Sequence, residues 1–376
     1  MQTFDVAVVG GGPAGSATAR LLAQRGCRVA LIERTRFTLP RVGESLPPAV
    51  QPLLVQLGVW QDFLALQPLP SYGTRSLWGS AEPEIHSHLT SRWGCGWHVD
   101  RLAFDRMLAQ AAQKAGAVLR CGTPVGRCSL EAEGWTVELR EHCKNDSARR
   151  FSKLRASVLI DATGRGCHLA RSLAAQPLLF DHLVGIAMRF DHDHISDEGY
   201  VMVEAVPEGW WYSAPLPSGD LMLMLMTDSD LCRRAELASR SAWMAGLRRT
   251  RASHARVKGA PSMRKPAVFC AISQRLRRAD SKLPWLAVGD ASLAVDPISG
   301  SGVIRGLRSA RAGAETALVL LNGGESDPIG EYESGRDRDC TEFLYERALY
   351  YGLECRWRES DFWARRVAAG ARVAMF

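Results

Sequence analysis

Apolar and polar positions alternate along the chain in three distinct rhythms, and each predicts a different kind of element. The first is the rhythm of buried strands joined by helices. Asp5-Val-Ala-Val-Val-Gly10 is a short apolar run that breaks into glycine from Gly10 to Gly15. A helix from Ala14 to about Arg25 follows, and then a second apolar run, Arg28-Val-Ala-Leu-Ile-Glu33. The same style returns at Arg101, where Leu102, Met107, Leu108 and Ala111 recur at helical spacing, and at Ser157-Val-Leu-Ile-Asp161 and Trp285-Leu-Ala-Val-Gly289-Asp290, buried runs that end in polar turns. The second rhythm is strict alternation without long helices, as in Gly199-Tyr-Val-Met-Val-Glu204 and Leu221-Met-Leu-Met-Leu-Met226, which predicts a mostly antiparallel sheet. The third, over 331–376, reads as helices carrying Tyr345, Tyr350, Tyr351, Trp357, Phe362 and Trp363, residues that suit a core as well as a ligand platform.

No internal repeat or low-complexity linker separates these stretches, so the domains are interleaved. The expected class is α/β: a Rossmann-like nucleotide-binding domain assembled from 1–69, 98–179 and 276–330, a mostly antiparallel substrate-domain sheet from 70–97 and 180–275, and a C-terminal helical segment from 331–376.

Composition narrows the class without naming the chemistry. A chain of 376 residues with 46% hydrophobic content can bury two or three cores. No apolar run has the length of a membrane span, and the N-terminus enters a strand with no charged leader or cleavage site, so a cytoplasmic protein is expected. The cysteines (Cys27, Cys95, Cys121, Cys128, Cys143, Cys167, Cys232, Cys270, Cys340, Cys355) contain no C-x-x-C pair, which predicts free thiols and neither a zinc site nor a disulfide framework. The net charge of +7 rests on arginine, since lysine occurs only at positions 114, 144, 153, 258, 265 and 282. Scattered arginine reads as solvated surface, and no nucleic-acid module or metal site is expected.

The chemistry enters with Gly10-Gly11-Gly12-Pro13-Ala14-Gly15. A G-x-G-x-x-G turn directly after a strand and at the start of a helix is a dinucleotide fingerprint: Gly10 permits the turn, Gly12 admits a pyrophosphate, and Gly15 lets helix and strand pack closely. The helix N-terminus faces the phosphates. Glu33, at the end of the second strand, is placed to accept hydrogen bonds from ribose hydroxyls. Far along the chain, Gly289-Asp290-Ala-Ser-Leu-Ala-Val-Asp296-Pro297-Ile-Ser299-Gly300-Ser301-Gly302 pairs a strand-end acid with a glycine-rich helix start. Asp290 suits a ribityl hydroxyl, and the N–H groups from Gly300 to Gly302 suit the electron-rich edge of a reduced flavin. The two motifs bracket the two ends of one FAD, held non-covalently, and no second fingerprint provides a nicotinamide domain.

These motifs resemble the flavoprotein superfamily of aromatic hydroxylases, flavin-dependent halogenases and geranylgeranyl reductases, which share the p-hydroxybenzoate hydroxylase fold. Arg101-x-x-Phe104-Asp105 is similar to the hydroxylases' R-x-x-F-D helix, whose arginine contacts FAD, and Asp161-Ala-Thr-Gly164-Arg165 with Arg171 to their D-G region. The FAD contacts that follow are Gly10, Gly12, Pro13, Ala14, Gly15, Glu33, Arg34, Arg41, Glu44, Ser45, Arg101, Val125, Asp290, Pro297, Gly300, Ser301 and Gly302, with Glu44 in the loop that covers the cofactor. Asp296-Pro297 and Gly209-Trp210-Trp211-Tyr212-Ser-Ala-Pro215 are similar to halogenase signatures. The halogenases' lysine has no counterpart in 71–79, however, and Ser299 stands where their glutamate falls. A closer resemblance is to FAD-dependent maturation proteins that oxidise a peptidyl tryptophan when amine-oxidising enzymes acquire a tryptophylquinone. It rests on Gly209–Pro217, on Gly96-Trp97-His98-Val-Asp-Arg101 and on the tail 356–366.

The resemblance implies a flavin-dependent monooxygenase that hydroxylates an aromatic ring, a tryptophan of a partner polypeptide, the precursor of a quinone-cofactor enzyme. It would draw electrons from reduced nicotinamide or an external flavin reductase, and oxygen from O2. Trp78, Trp97, Trp210, Trp211 and Tyr212 are the expected pocket wall, or alternatively an interdomain core, and His98 lies beside them. No general base is assigned. Two other readings remain: a small-molecule aromatic hydroxylase or halogenase, and a redox-silent flavin-binding chaperone.

Overall fold

The structure, a computed structural model, describes residues 1–39, 41–141, 150–191, 199–278, 283–323 and 327–373. Cys143, Lys144 and Lys282 lie outside them. The nine described cysteines are all free thiols.

The strand Gln2–Val9 sits inside a seven-stranded sheet between Val29–Glu33 and the long strand Arg150–Asp161, parallel to both, with Val6 opposite Val29 on one side and Val158 on the other. Apolar side chains from both faces of these strands must be covered, and this is why they read as continuous apolar runs and not as alternating ones. The helices Pro13–Gln24, Arg101–Lys114 and Gly302–Asn322 cover one face, packing Ala19, Leu22, Ala109, Ala112, Ala314 and Ala317 on Val6, Val8, Leu31 and Ile160. Along one edge of Arg150–Asp161 the neighbour changes: residues 150–156 pair antiparallel with Gly134–Glu141, and residues 159–161 pair parallel with Trp285–Ala287. That switch brings the strand that leads into the Gly289–Gly302 motif into the same sheet as the strand that leads into the glycine turn.

A second seven-stranded sheet runs in the order Ala267–Cys270, Leu183–Phe190, Leu221–Asp228, Gly209–Pro215, Tyr200–Val206, Gly73–Leu77, Glu84–Ser87. It is antiparallel throughout except where Tyr200–Val206 meets Gly73–Leu77. A small sheet of Ser45–Leu46, Gly96–His98 and Leu69–Ser71 joins the two parts. The expected divisions at 69/70, 97/98 and 275/276 fall inside the strands Leu69–Ser71, Gly96–His98 and Gln274–Arg277, and 330/331 falls inside the helix Pro328–Leu353. Such short strands leave no break in pattern for a sequence reading to detect.

The helices Pro328–Leu353 and Asp361–Val373 close over the second sheet. Tyr351, Phe362 and Trp363 are buried with Trp210, Met224 and Met226, so the C-terminal aromatics serve as core. Arg366 carries its charge into that core by pairing with Asp228 at 2.9 Å while lying over the rings of Tyr351 and Phe362. Among the described residues, no helix is long and apolar enough to cross a membrane.

Candidate active site

The glycine turn separates into two physical roles. Gly10 has φ +116°, and a Cβ there would lie 2.1 Å from the carbonyl oxygen of Ala162. At Gly15 a Cβ would lie 1.9 Å from the carbonyl oxygen of Gly10. Both positions are glycine because backbone occupies the space. Gly12 differs, since a Cβ built there meets nothing within 4 Å. It is the N-cap of Pro13–Gln24 and supplies no side-chain acceptor, so the first N–H groups of the helix face open space across Gly12, Pro13 and Ala14. The helix Gly302–Asn322 likewise starts with no side-chain cap, and a Cβ at Gly300 or Gly302 meets nothing within 4 Å. Two bare helix starts over a continuous cleft fit the pyrophosphate and the flavin edge of FAD.

All but two of the residues expected to contact FAD line this cleft. Glu33 is buried; its Oε2 accepts from Gly11 N at 2.8 Å and its Oε1 from Thr35 N at 2.9 Å. Oε1 also accepts from Thr35 Oγ1 at 2.7 Å and faces the Arg41 guanidinium at 3.3 Å, so Oε2 is the oxygen that keeps a lone pair for a ribose hydroxyl while bracing the glycine turn. Arg34 and Val125 line the same end. Arg41, Glu44, Ser45 and Arg101 line the middle, where buried Asp105 holds the Arg41 and Arg101 guanidiniums at 2.5 and 3.2 Å. Arg101 also donates to the carbonyl oxygen of Val42 at 2.5 Å, so it shapes the loop 41–45 from beneath. Asp290, ion-paired with Arg165 at 3.3 Å, lines the far end with Pro297, Gly300 and Gly302. The exceptions are Gly15, which packs helix on strand behind the wall, and Ser301, whose Oγ turns to Ser299 Oγ at 2.8 Å and to Arg305 Nε at 3.1 Å. Asp161 is committed to the turn, accepting from Thr163 N and Ala170 N at 2.8 Å, and Arg171 is exposed outside the cleft.

The cleft opens without interruption onto the second sheet, giving one chamber of about 760 Å³. Of the six aromatic and histidine candidates for its wall, only Trp210 and Tyr212 line it. Side chains of a strand alternate, so Trp211, between them, must face the other way; it is buried edge-on against Trp243 at 4.8 Å. Trp97 packs against Trp60 and Phe63 in the core of the nucleotide domain. His98 is fully buried in the small sheet, with Nε2 at 3.2 Å from the carbonyl oxygen of Gly199. Trp78 stands behind Trp210, tied through Nε1 to the carbonyl oxygen of Tyr350 at 2.8 Å.

The wall also includes Gly185, Met224, Met226, Phe269, Cys270 and Ala271, which the sequence reading missed. One signal was present: Gly185 interrupts an apolar strand, and a Cβ there would lie 2.5 Å from Met224 Sδ. No lysine lines the chamber among the described residues, and the Oγ of Ser299 faces Ser301.

Glu44 is the anomalous wall residue. It is 2% exposed, and neither carboxylate oxygen meets a hydrogen-bond donor at bonding geometry. Burial pushes its carboxyl above the ordinary 4.5, against a partial pull from the backbone N–H groups of Glu44 and Gly43 and from the Arg101 charge. The folded protein therefore holds this proton to higher pH than the unfolded chain does, and stability falls as pH rises above about 4.5. Glu44→Gln removes the dependence. Thermal melts of the apoprotein should show the variant gaining on wild type as pH rises above about 4.5; a difference constant with pH would contradict the assignment.

A family model described as "FAD binding domain" matches residues 3–339. The chain is 32% identical over 99% of its length, and 99% of the relative's, to the putative FAD-dependent oxidoreductase LodB of Marinomonas mediterranea. Its fold matches the myxobacterial chondrochloren halogenase CndH with TM-score 0.87 at 23% identity, over 100% of this chain and 89% of that one. It also matches QhpG, described as a peptidyl tryptophan dihydroxylase essential for tryptophylquinone cofactor biogenesis, with TM-score 0.67 at 23% identity, over 97% and 78%. With the match running from the glycine turn through both helix starts to the C-terminal helices, the chain belongs to the FAD-binding-domain family of flavin-dependent oxidoreductases.

Proposed function

We propose that the enzyme is a monooxygenase that inserts oxygen into the ring of a tryptophan carried by a partner polypeptide, the precursor of a quinone-cofactor enzyme. The observation that carries the reading is the continuity of the chamber: the cleft suited to FAD runs directly into an apolar wall of Trp210, Tyr212, Met224, Met226 and Phe269. Bound there, FAD supplies the redox and oxygen chemistry. The chain's own residues hold the cofactor through the bare helix starts, Glu33, Arg34, Arg41, Val125 and Asp290, and exclude water from the ring. Trp210 is fixed for that task, because its Nε1 donates to Tyr351 Oη at 3.1 Å and Tyr351 in turn donates to Asp296 at 2.9 Å. QhpG, similar in fold, supports a maturation role, and LodB, similar along the whole chain, supports the oxidoreductase class.

Halogenation is the second reading, favoured by Asp296-Pro297 and by the fold of CndH. The chamber wall gives it no lysine among the described residues. The substrate class is tested by supplying the FAD-loaded enzyme, with a flavin reductase and reduced nicotinamide, either a tryptophan-containing peptide or free tryptophan. Fragment-ion mass spectrometry should place added oxygen on the peptide's indole. Turnover of free tryptophan alone would replace the polypeptide substrate with a small molecule.

A further inference from the structure

We propose that Glu44 is the acceptor for the ring N–H of the substrate indole and fixes the ring's orientation in the chamber. This deepens the proposed function and rests on it. Several polar groups on the chamber wall are already engaged. Arg101 is spent on Asp105 and the carbonyl oxygens of Val42 and Gly43, and Trp210 on Tyr351. Asp296 accepts from Tyr351 and from Ile298 N at 3.0 Å. Glu44 is left as a buried carboxyl on the chamber wall with two oxygens that meet no donor at bonding geometry. Buried polar groups are satisfied in nearly every folded protein, so such a pair marks the place of a ligand's donor.

The shape of that ligand follows from the rest of the wall. With Glu44 the chamber is lined by Trp210, Tyr212, Met224, Met226 and Phe269, a mostly aromatic and thioether surface. A flat apolar ring with one donor and no acceptor matches this wall, and indole is that ring. The orientation also suits the reaction. Over a turnover one atom of O2 replaces a ring C–H with C–OH, the other leaves as water, and the reduced cofactor provides two electrons. The indole N–H bond is unchanged in the product, so Glu44 ends each cycle in the state in which it began. While the ring carbon is attacked the ring nitrogen grows electron-poor, and an oxygen of Glu44 accepting from its N–H is placed to stabilise this charge.

The test uses N-acetyltryptophanamide and its 1-methylindole counterpart, titrated into the FAD-loaded enzyme and followed by the absorbance change of the bound flavin. Wild type should bind the parent roughly ten- to hundredfold more tightly than the methylated probe, the range for leaving a buried acceptor without its donor. Glu44→Met should lose that preference and leave the methylated probe's affinity unchanged, while Glu44→Gln, which keeps a carbonyl acceptor, should retain part of it. FAD affinity, measured for each protein, should change by less than the loss of preference. Equal weakening of both probes, or a fall in FAD affinity matching the loss, would overturn the role of Glu44 and leave the indole reading standing; the second result would assign the acceptor to the flavin. Binding and oxygenation of a phenol with no binding of either indole would overturn the proposed function and this inference together.

Discussion

Gly12→Val is expected to give a folded protein that is colourless. The added side chain projects into the cleft, where a Cβ meets no protein atom within 4 Å, so the apoprotein has no reason to distort. Its methyls take the space that a pyrophosphate needs against the helix start, and flavin retention should be abolished. Glu33→Ala should weaken FAD by roughly ten- to hundredfold, the effect of losing hydrogen bonds to a charged group. Gly10→Ala and Gly15→Ala act on a different quantity: their Cβ atoms would lie 2.1 and 1.9 Å from backbone oxygens, so they should lower the melting temperature whether or not FAD is present. Flavin content after gel filtration, read beside a thermal melt, separates the two classes. A yellow Gly12→Val protein would show the phosphate turn to be misplaced.

The second large effect comes from adjacent tryptophans on one strand. Trp211→Ala should cost about 3–5 kcal/mol of stability, because it empties a fully buried site against Trp243, Phe190 and Leu223. Turnover per folded molecule should survive, since Trp211 faces away from the chamber. Trp210→Ala opens the chamber itself and frees Tyr351, and loss of ring positioning there should lower turnover about a hundredfold while FAD stays bound. Urea melts and single-turnover rates on the same samples give both quantities. Equal loss of turnover in the two variants, scaled to folded protein, would mean that the alternation of this strand does not define the substrate wall.

Most of the nucleotide half was legible in the sequence because its signals are local. Gly10 to Gly15, Glu33 and Asp290 each lie at the junction of a strand and a turn, where the chain pattern alone locates the backbone. The substrate wall was less legible. Trp210, Trp211 and Tyr212 read as one aromatic block, yet a period of two divides them between the chamber and a core. Trp97 and His98 were drawn away by pairing of Gly96–His98 with Ser45–Leu46 and Leu69–Ser71, contacts between distant segments that no local pattern encodes. Met224, Met226 and Phe269 reach the chamber only through the order of strands in the second sheet. Glu44 was visible as part of the covering loop, but its lack of a donor is a property of the folded surroundings.

Oxygen transfer from a flavin held in this chamber is the central claim, and product mass under labelled dioxygen tests it most directly. The FAD-loaded enzyme, a reductase and a tryptophan-containing peptide are incubated under isotopically labelled O2, with and without chloride or bromide. Label should appear on the indole, unchanged by halide. Incorporation of halogen, or product oxygen that carries no label, would contradict it.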